Sequence, residues 1–106
     1  MTLKQFRALA KKYAERCVRE IGFGKVNDYD DSIVYDFRNE GEYSGATMAF
    51  EIRIVDGVPR PEARFGSGGA MLGAAHDVAP FYEAMTLICK IGSEFNAKHG
   101  QKVVTF

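Results

Sequence analysis

The glycine-rich run from Gly66 to His76 is the first part of this sequence with residue types and spacing that could do chemistry. It contains four glycines and lies between a predicted strand and a predicted helix, where such a run can hold a phosphate. A nucleotide loop would need a glycine at position 71 and a lysine after Gly73, but Met71 and Ala74 stand there. We therefore expect a flexible or partner-docking loop and no cofactor.

His76, Asp77 and Ser67 supply the residue types of a hydrolase triad. A triad depends on convergent geometry, and side chains adjacent in sequence usually diverge. The ordinary role of Asp77 is to cap the helix that follows, and His99 would complement the dipole at the end of that helix. The sequence therefore predicts a protein that is not an enzyme.

Possible metal ligands are equally poorly spaced. Asp28, Asp30 and Asp31 resemble the start of a calcium loop, but Ile33 replaces the required glycine, so we interpret the segment as a turn without a metal. The cysteines, Cys17 and Cys89, lack the short paired spacing of metal or redox sites. Both lie on apolar helical arcs, which predicts buried thiols that could meet if the helices pack together.

A basic face on the first predicted helix is the strongest charge pattern. Fourteen basic and fourteen acidic residues cancel over the whole chain. Residues 2–25 nevertheless carry seven positive and two negative charges, whereas residues 26–51 carry one positive and seven negative charges. The face could neutralise phosphates, so nucleic-acid binding is the alternative function. An ordinary solvated face is the preferred interpretation, and the charge segregation suits internal pairing or head-to-tail association as well as a nucleic-acid partner. Its members are Lys4, Arg7, Lys11, Lys12, Arg16 and Arg19.

Two helices must position these groups. Thr2 and Gln5 have the spacing of a capping box, and the apolar period predicts a helix over Leu3–Ile21 that ends near Gly22. The second helix should begin around Pro80 and end at His99. The main apolar stripe of this helix includes Cys89. Three further apolar residues widen the apolar surface beyond what one sheet face would cover: Ala84, Leu87 and Ile91.

A hairpin turning at Asp56-Gly57 is the clearest predicted element, because this dipeptide favours a type I′ turn. The two-residue turn sets the register, with Ile54 opposite Pro59 and Ile52 opposite Pro61 in non-hydrogen-bonded pairs. Because these prolines cannot donate to a further strand, the second hairpin strand is predicted to be an edge. The outer face then carries diagonal charge pairs: Arg53 with Glu62, or Glu51 with Arg60.

Two further strands complete the expected sheet. Ile33 to Arg38 alternates with Ile33, Tyr35 and Phe37 on one side, and Lys102 to Phe106 should form a short last strand. We expect that last strand beside the first strand, or exchanged with another chain. The predicted fold is a single α+β domain over residues 1–106, in the order α-β-β-β-α-β, with both helices packed on one face of an antiparallel sheet.

The order of a helix, three antiparallel strands and a helix resembles the double-stranded-RNA-binding domain. Thr47 to Ile54, running into a turn, is similar to the second strand of that family. The resemblance covers roughly residues 3–95 and concerns topology. It implies that fold, whereas the lysines with which that family grips phosphates have no counterpart in residues 69–76.

These observations favour a cytoplasmic, non-enzymatic protein-interaction domain of the inhibitor or adaptor type. We expect a protein partner, and the chain could also form a homodimer. Nucleic acid is the less favoured partner. No membrane span is expected, because the apolar runs are short. The candidate partner-binding residues lie on the outer sheet face, the glycine-rich run and the second helix: Glu51, Arg53, Arg60, Glu62, Arg64, Gly68, Gly69, Met71, Leu72, His76, Leu87 and Ile91.

Overall fold

Two helices and a four-stranded antiparallel sheet make up the computed structural model, which describes residues 1–37, 46–67 and 78–106. The predicted α+β class is therefore confirmed. Along the chain the elements are α1 (Leu3–Ile21), β1 (Lys25–Asp28), β2 (Ser32–Phe37), β3 (Ala46–Val55), β4 (Val58–Ser67) and α2 (Val78–His99). The strands lie in the order β1, β2, β3, β4, so neighbours in the sheet are also neighbours in the chain.

Helix α1 has the predicted bounds. The Thr2 hydroxyl accepts a hydrogen bond from the Gln5 amide, and the Gln5 side chain accepts one from the Thr2 amide, which completes the capping box. At the other end Gly22 adopts φ 94°, and its N–H donates to the carbonyl of Val18. A left-handed glycine ends the helix as its sequence predicts.

The β3–β4 hairpin has the predicted register from Val55 opposite Val58 to Met48 opposite Phe65. Asp56 and Gly57 have φ of 51° and 78°, the pair of positive values that a type I′ turn requires. Strand β4 is an edge of the sheet, as its prolines predict. The hairpin also projects past β2, which pairs with β3 only as far as Glu51, and this leaves Ile54 59% exposed.

Both helices pack on the same sheet face and close one apolar core. The sheet contributes alternating residues of β2, β3 and β4, as period-2 patterning requires. Gly92 of α2 permits a close approach, because a Cβ there would stand 2.7 Å from the Cε of Met48. The largest fully buried side chains include Tyr35, Phe6, Phe37, Phe50, Phe95 and Ile33.

The element order differs from the prediction at two places. Lys25–Asp28 is a strand, although Asn27 and Asp28 favour turns, and it occupies the position beside β2 that was expected for the C-terminal segment. That segment forms a single parallel bridge between Thr105 and Thr2. It also binds the β4 edge, where the Val104 N–H donates to the Pro59 carbonyl at 2.9 Å. Within the described residues four strands, not three, lie between the helices, and this order does not support the topological resemblance to the double-stranded-RNA-binding domain.

Helix α2 ends at His99 as predicted, but its buried arc is rotated from the predicted stripe. The arc follows Ala84, Ile88, Ile91 and Phe95, so Cys89 lies at its margin and is exposed. The prediction of a buried thiol is therefore correct for Cys17 and wrong for Cys89, and both thiols are free. Neither described helix contains a stretch long and apolar enough to cross a bilayer.

Candidate interaction surface

The sheet face opposite the helices carries five of the predicted partner-binding residues. Phe50 of β3 is buried beneath the helices, so its neighbours Glu51 and Ala49 point to the opposite side. The same alternation applies along β4. We call this side of the β3–β4 hairpin the outer hairpin face, and its charged members are Glu51, Arg53, Arg60, Glu62 and Arg64.

Diagonal ion pairs organise the outer hairpin face. Arg53 donates from Nη1 to both carboxylate oxygens of Glu62 at 3.1 Å, which confirms one predicted pair. Glu51 accepts from Arg64 at 3.2 Å, not from Arg60 as predicted. Arg60 lies nearer the hairpin tip and donates around the sheet edge to the Gln101 carbonyl at 2.6 Å, so it is not available to Glu51.

The arginines of both diagonal pairs lie outermost. The side chains of Arg53 and Arg64 are 57% and 62% exposed, against 27% for Glu62 and 31% for Glu51. Each carboxylate therefore lies close to the strand and fixes the guanidinium above it. The outer hairpin face thus presents positively charged planar groups to solvent in defined orientations.

The outer edge of β4 is closed by groups from the C-terminal part of the chain. Asn96 of α2 accepts from the Ala63 N–H at 2.7 Å and donates to the Ala63 carbonyl at 3.0 Å. Its side-chain amide therefore pairs with Ala63 as a residue of a neighbouring strand would. Pro59 and Pro61 have no N–H to satisfy, and Val104 binds the Pro59 carbonyl. This edge is consequently a poor template for an added strand.

The basic face of α1 is partly neutralised within the molecule. Arg7 pairs with Asp28 of β1, and Arg16 pairs with Glu20 and with Glu94 of α2. The hydrogen bond from Arg16 lowers the pKa of Glu94, although the small desolvation of Glu94 opposes that shift. The exposed cations that remain on α1 are Lys4, Lys11, Lys12 and Arg19.

A pocket of ≈ 380 Å³ lies where α1 passes β1 and β2. We call it the α1 pocket. Its apolar wall comes from Leu3, Ala8 and Ile33, and its charged lining comes from Lys4, Arg7, Lys11 and Asp28.

The buried polar groups favour structural roles. The Tyr13 hydroxyl lies 3.3 Å from Nε2 of His99, and burial, with help from Lys102 and Lys98, lowers the pKa of His99. A lowered pKa favours the uncharged imidazole, which weakens the interaction with the helix dipole that the sequence predicts for His99. Burial raises the pKa of the Cys17 thiol to about 12, which makes it a poor nucleophile at neutral pH.

Several predicted residues lie outside the part of the chain that the structure describes, namely Gly68, Gly69, Met71, Leu72, His76 and Asp77. The hydrolase hypothesis for His76 and Ser67 therefore stays untested. Leu87 is half-buried on α2, whereas Ile91 is fully buried and belongs to the core, because α2 is rotated from its predicted orientation. Across residues 1–37, 46–67 and 78–106, no three acidic, histidine or cysteine side chains converge as metal ligands.

No family model matches the chain, and comparisons with curated proteins and with solved structures gave no match.

The sequence did not predict two features of the structure, the Asn96 contact and the α1 pocket. Asn96 follows Gly92 by one helical turn, on the side of α2 that approaches β4. A polar amide at that position could have indicated a contact with the backbone of the sheet edge. The α1 pocket had no such signal, because it depends on β1, whose residues resemble a turn.

Proposed function

We propose that the chain is a non-enzymatic protein-interaction domain of the inhibitor or adaptor type, which binds a protein partner through the outer hairpin face. The observation that carries this proposal is the outward position of Arg53 and Arg64 over the glutamates that hold them.

Guanidinium groups that are held by ion pairs are suited to binding a protein partner for two reasons. Arginine is enriched among the residues that dominate interface energetics, since its planar fork binds carboxylates and stacks on aromatic rings. A side chain already fixed by an ion pair also loses less conformational entropy when a partner binds. The matching partner surface therefore carries carboxylates or aromatic rings opposite Arg53 and Arg64.

The hairpin tip adds apolar contact area beside the two arginines. Val55 is exposed and lies on the same face of β3 as Arg53, directly opposite Val58 of β4. An apolar patch next to charged groups is the usual composition of a protein interface. Because the tip extends beyond β2, a partner could reach it without displacing either helix.

The test uses affinity capture followed by direct binding measurements. Immobilised wild type and the Arg53→Ala/Arg64→Ala variant are exposed to lysate from the source organism, and the retained proteins are compared by quantitative mass spectrometry. The control is Arg19→Ala, which removes an exposed arginine from α1. We expect one or a few proteins that wild type and control retain and the double variant loses, with about a 10- to 100-fold weaker Kd for the purified partner. Equal retention by all three proteins would contradict the proposal.

The proposed compartment is the cytoplasm. Both cysteines are free thiols, a state that persists in a reducing compartment.

Nucleic-acid binding through α1 is the second candidate, supported by the four exposed cations of that helix. Two of the six basic residues are held by acidic partners, which reduces the charge available to phosphates. Titration of fluorescent duplex RNA and DNA at low and moderate salt tests this candidate. Salt-dependent binding that Lys12→Glu/Arg19→Glu weakens would support it, and no binding at low salt would remove it.

A further inference from the structure

The α1 pocket and the turn between β1 and β2 form adjacent surfaces of opposite charge. Lys4 and Lys11 line the pocket and are exposed, and neither has an ion-pair partner within the described residues. The turn begins directly after Asp28, which also lines the pocket. Its two central residues, Asp30 and Asp31, are exposed acids whose carboxylates likewise have no cationic partner among the described residues.

Both surfaces belong to elements that are held in place. The Tyr29 N–H donates to the Ser32 carbonyl at 2.9 Å, which closes the turn, and the Asp31 carbonyl accepts from Ile52 of β3 at 3.3 Å. The lysines lie on α1, which is capped at both of its ends. The backbone that carries these charges is therefore ordered before a partner binds, and only the side chains lose conformational entropy on contact.

A basic pocket beside an acidic turn is self-complementary. In a two-fold arrangement the turn of one copy faces the pocket of the other, and the same contact occurs twice. The net charge of zero means that two copies have no overall repulsion to overcome. Tyr29, which is 54% exposed on the same turn, offers apolar surface for the contact.

We propose that a second copy of this chain docks at the α1 pocket, with Asp30 and Asp31 of each copy facing Lys4 and Lys11 of the other in a two-fold dimer. The pocket lies beside α1, whereas the turn adjoins the outer hairpin face where Ser32 of β2 pairs with Glu51 of β3. Exposed charge pairs dominate the contact, and its affinity therefore decreases as salt rises.

Two charge-reversal variants test the dimer by sedimentation velocity over a range of protein concentrations. Lys4→Glu/Lys11→Glu makes both surfaces acidic, and Asp30→Lys/Asp31→Lys makes both basic. Among the described residues Asp56 is the only non-glycine residue with positive φ, so lysine fits the backbone at positions 30 and 31. We expect wild type to dimerise and each variant alone to dimerise at least about tenfold more weakly, because like charges then face each other.

Mixing the two variants gives the sharpest result. In a mixed dimer, the acidic turn of one variant faces the basic pocket of the other, and the basic turn faces the acidic pocket. Both contacts are restored, so the mixture should dimerise at wild-type strength. The control Lys12→Glu/Arg19→Glu alters the net charge by the same four units as Lys4→Glu/Lys11→Glu but leaves the pocket lysines in place, so it should dimerise like wild type.

Three outcomes would overturn the proposal: a wild type that stays monomeric at every concentration, variants that dimerise as wild type does, or a mixture that does not recover. Circular dichroism of each variant establishes that it is folded before the comparison. None of these outcomes depends on a partner at the outer hairpin face.

Discussion

The two faces of the β3–β4 hairpin use the same strands for opposite purposes. Phe50 is fully buried beneath the helices, while Glu51, the next residue, lies on the outer hairpin face in an ion pair with Arg64. The inner face derives its free energy from apolar burial, whereas surface ion pairs contribute little to folding. The charges of the outer hairpin face are therefore expected to add little to stability, which leaves them free to serve binding.

The largest expected difference between the faces concerns stability. Phe50→Ala removes a buried ring and leaves a cavity, so the free energy of unfolding should decrease by about 3–5 kcal/mol. Glu51→Ala, one residue along, should cost less than about 1 kcal/mol. Urea denaturation followed by circular dichroism measures both, and similar losses at the two positions would contradict the expected difference between the faces.

Asn96 should have an intermediate effect, because it satisfies backbone groups at the edge of the hairpin. Asn96→Ala leaves the Ala63 N–H and carbonyl without their protein partner, which should cost about 1–2 kcal/mol of unfolding free energy. Lys98→Ala, an exposed position on the same helix, is the control and should change little. If the two variants unfold at the same urea concentration, the Asn96 contact has no stabilising role.

A smaller, pH-dependent effect is expected on the helix side of the hairpin. Burial holds the pKa of His99 below its ordinary value of 6.5 in the folded state, so the unfolded chain takes up a proton first as pH falls. His99 therefore contributes stability that is fully present above pH 6.5 and decreases below it. Unfolding measured from about pH 7 to about pH 5 should show this loss, and His99→Gln should flatten it.

This pH range distinguishes the effect of His99 on stability from that of Glu94. The ion pair with Arg16 lowers the pKa of Glu94, so its stabilising contribution is lost only below the ordinary glutamate pKa of 4.5. A slope between about pH 5 and about pH 6.5 that persists in His99→Gln would assign the effect to another group.

The smallest stability effect is expected at Arg53. Arg53→Ala should alter the free energy of unfolding by no more than about 0.5 kcal/mol, because the side chain is more than half exposed. Under the proposed function, the same substitution should weaken partner binding by about tenfold or more. Stability by urea titration and affinity by calorimetry form the pair of measurements. A large loss of stability would make the ion pair structural and remove the contrast between the two faces.

Local signals explain which parts of the fold the sequence could predict. Helix α1 is marked at both ends by Thr2 and Gly22, and the two-residue turn at Asp56-Gly57 determines the hairpin register. Both features depend on residues that are near each other in the chain, so nearby residue types are sufficient.

The elements that the sequence predicted wrongly depend on distant contacts. Strand β1 contains Asn27 and Asp28, which favour turns, and it is a strand because β2 offers it an edge. The orientation of α2 is determined by the close fit of Gly92 against Met48, which periodicity cannot reveal when the apolar arc is wide. The exposure of Cys89 and the burial of Ile91 follow from that fit.

The candidate surface was predictable in its members but not in its geometry. Strand alternation places Arg53, Glu62 and Arg64 on one face, and the hairpin register places Arg53 diagonal to Glu62. The sequence did not indicate that Arg60 would turn to Gln101, because that contact depends on where the chain runs after α2.

The pairing of Asn96 with Ala63 also bears on aggregation. An uncovered edge strand can recruit the same strand of another molecule and start an ordered aggregate, and β4 is ten residues long. The side-chain amide of Asn96 occupies the hydrogen-bonding position in the middle of β4 that the backbone of an added strand would need. Asn96 thereby covers part of the longer of the two described sheet edges, and we expect it to disfavour strand addition there as well as unfolding.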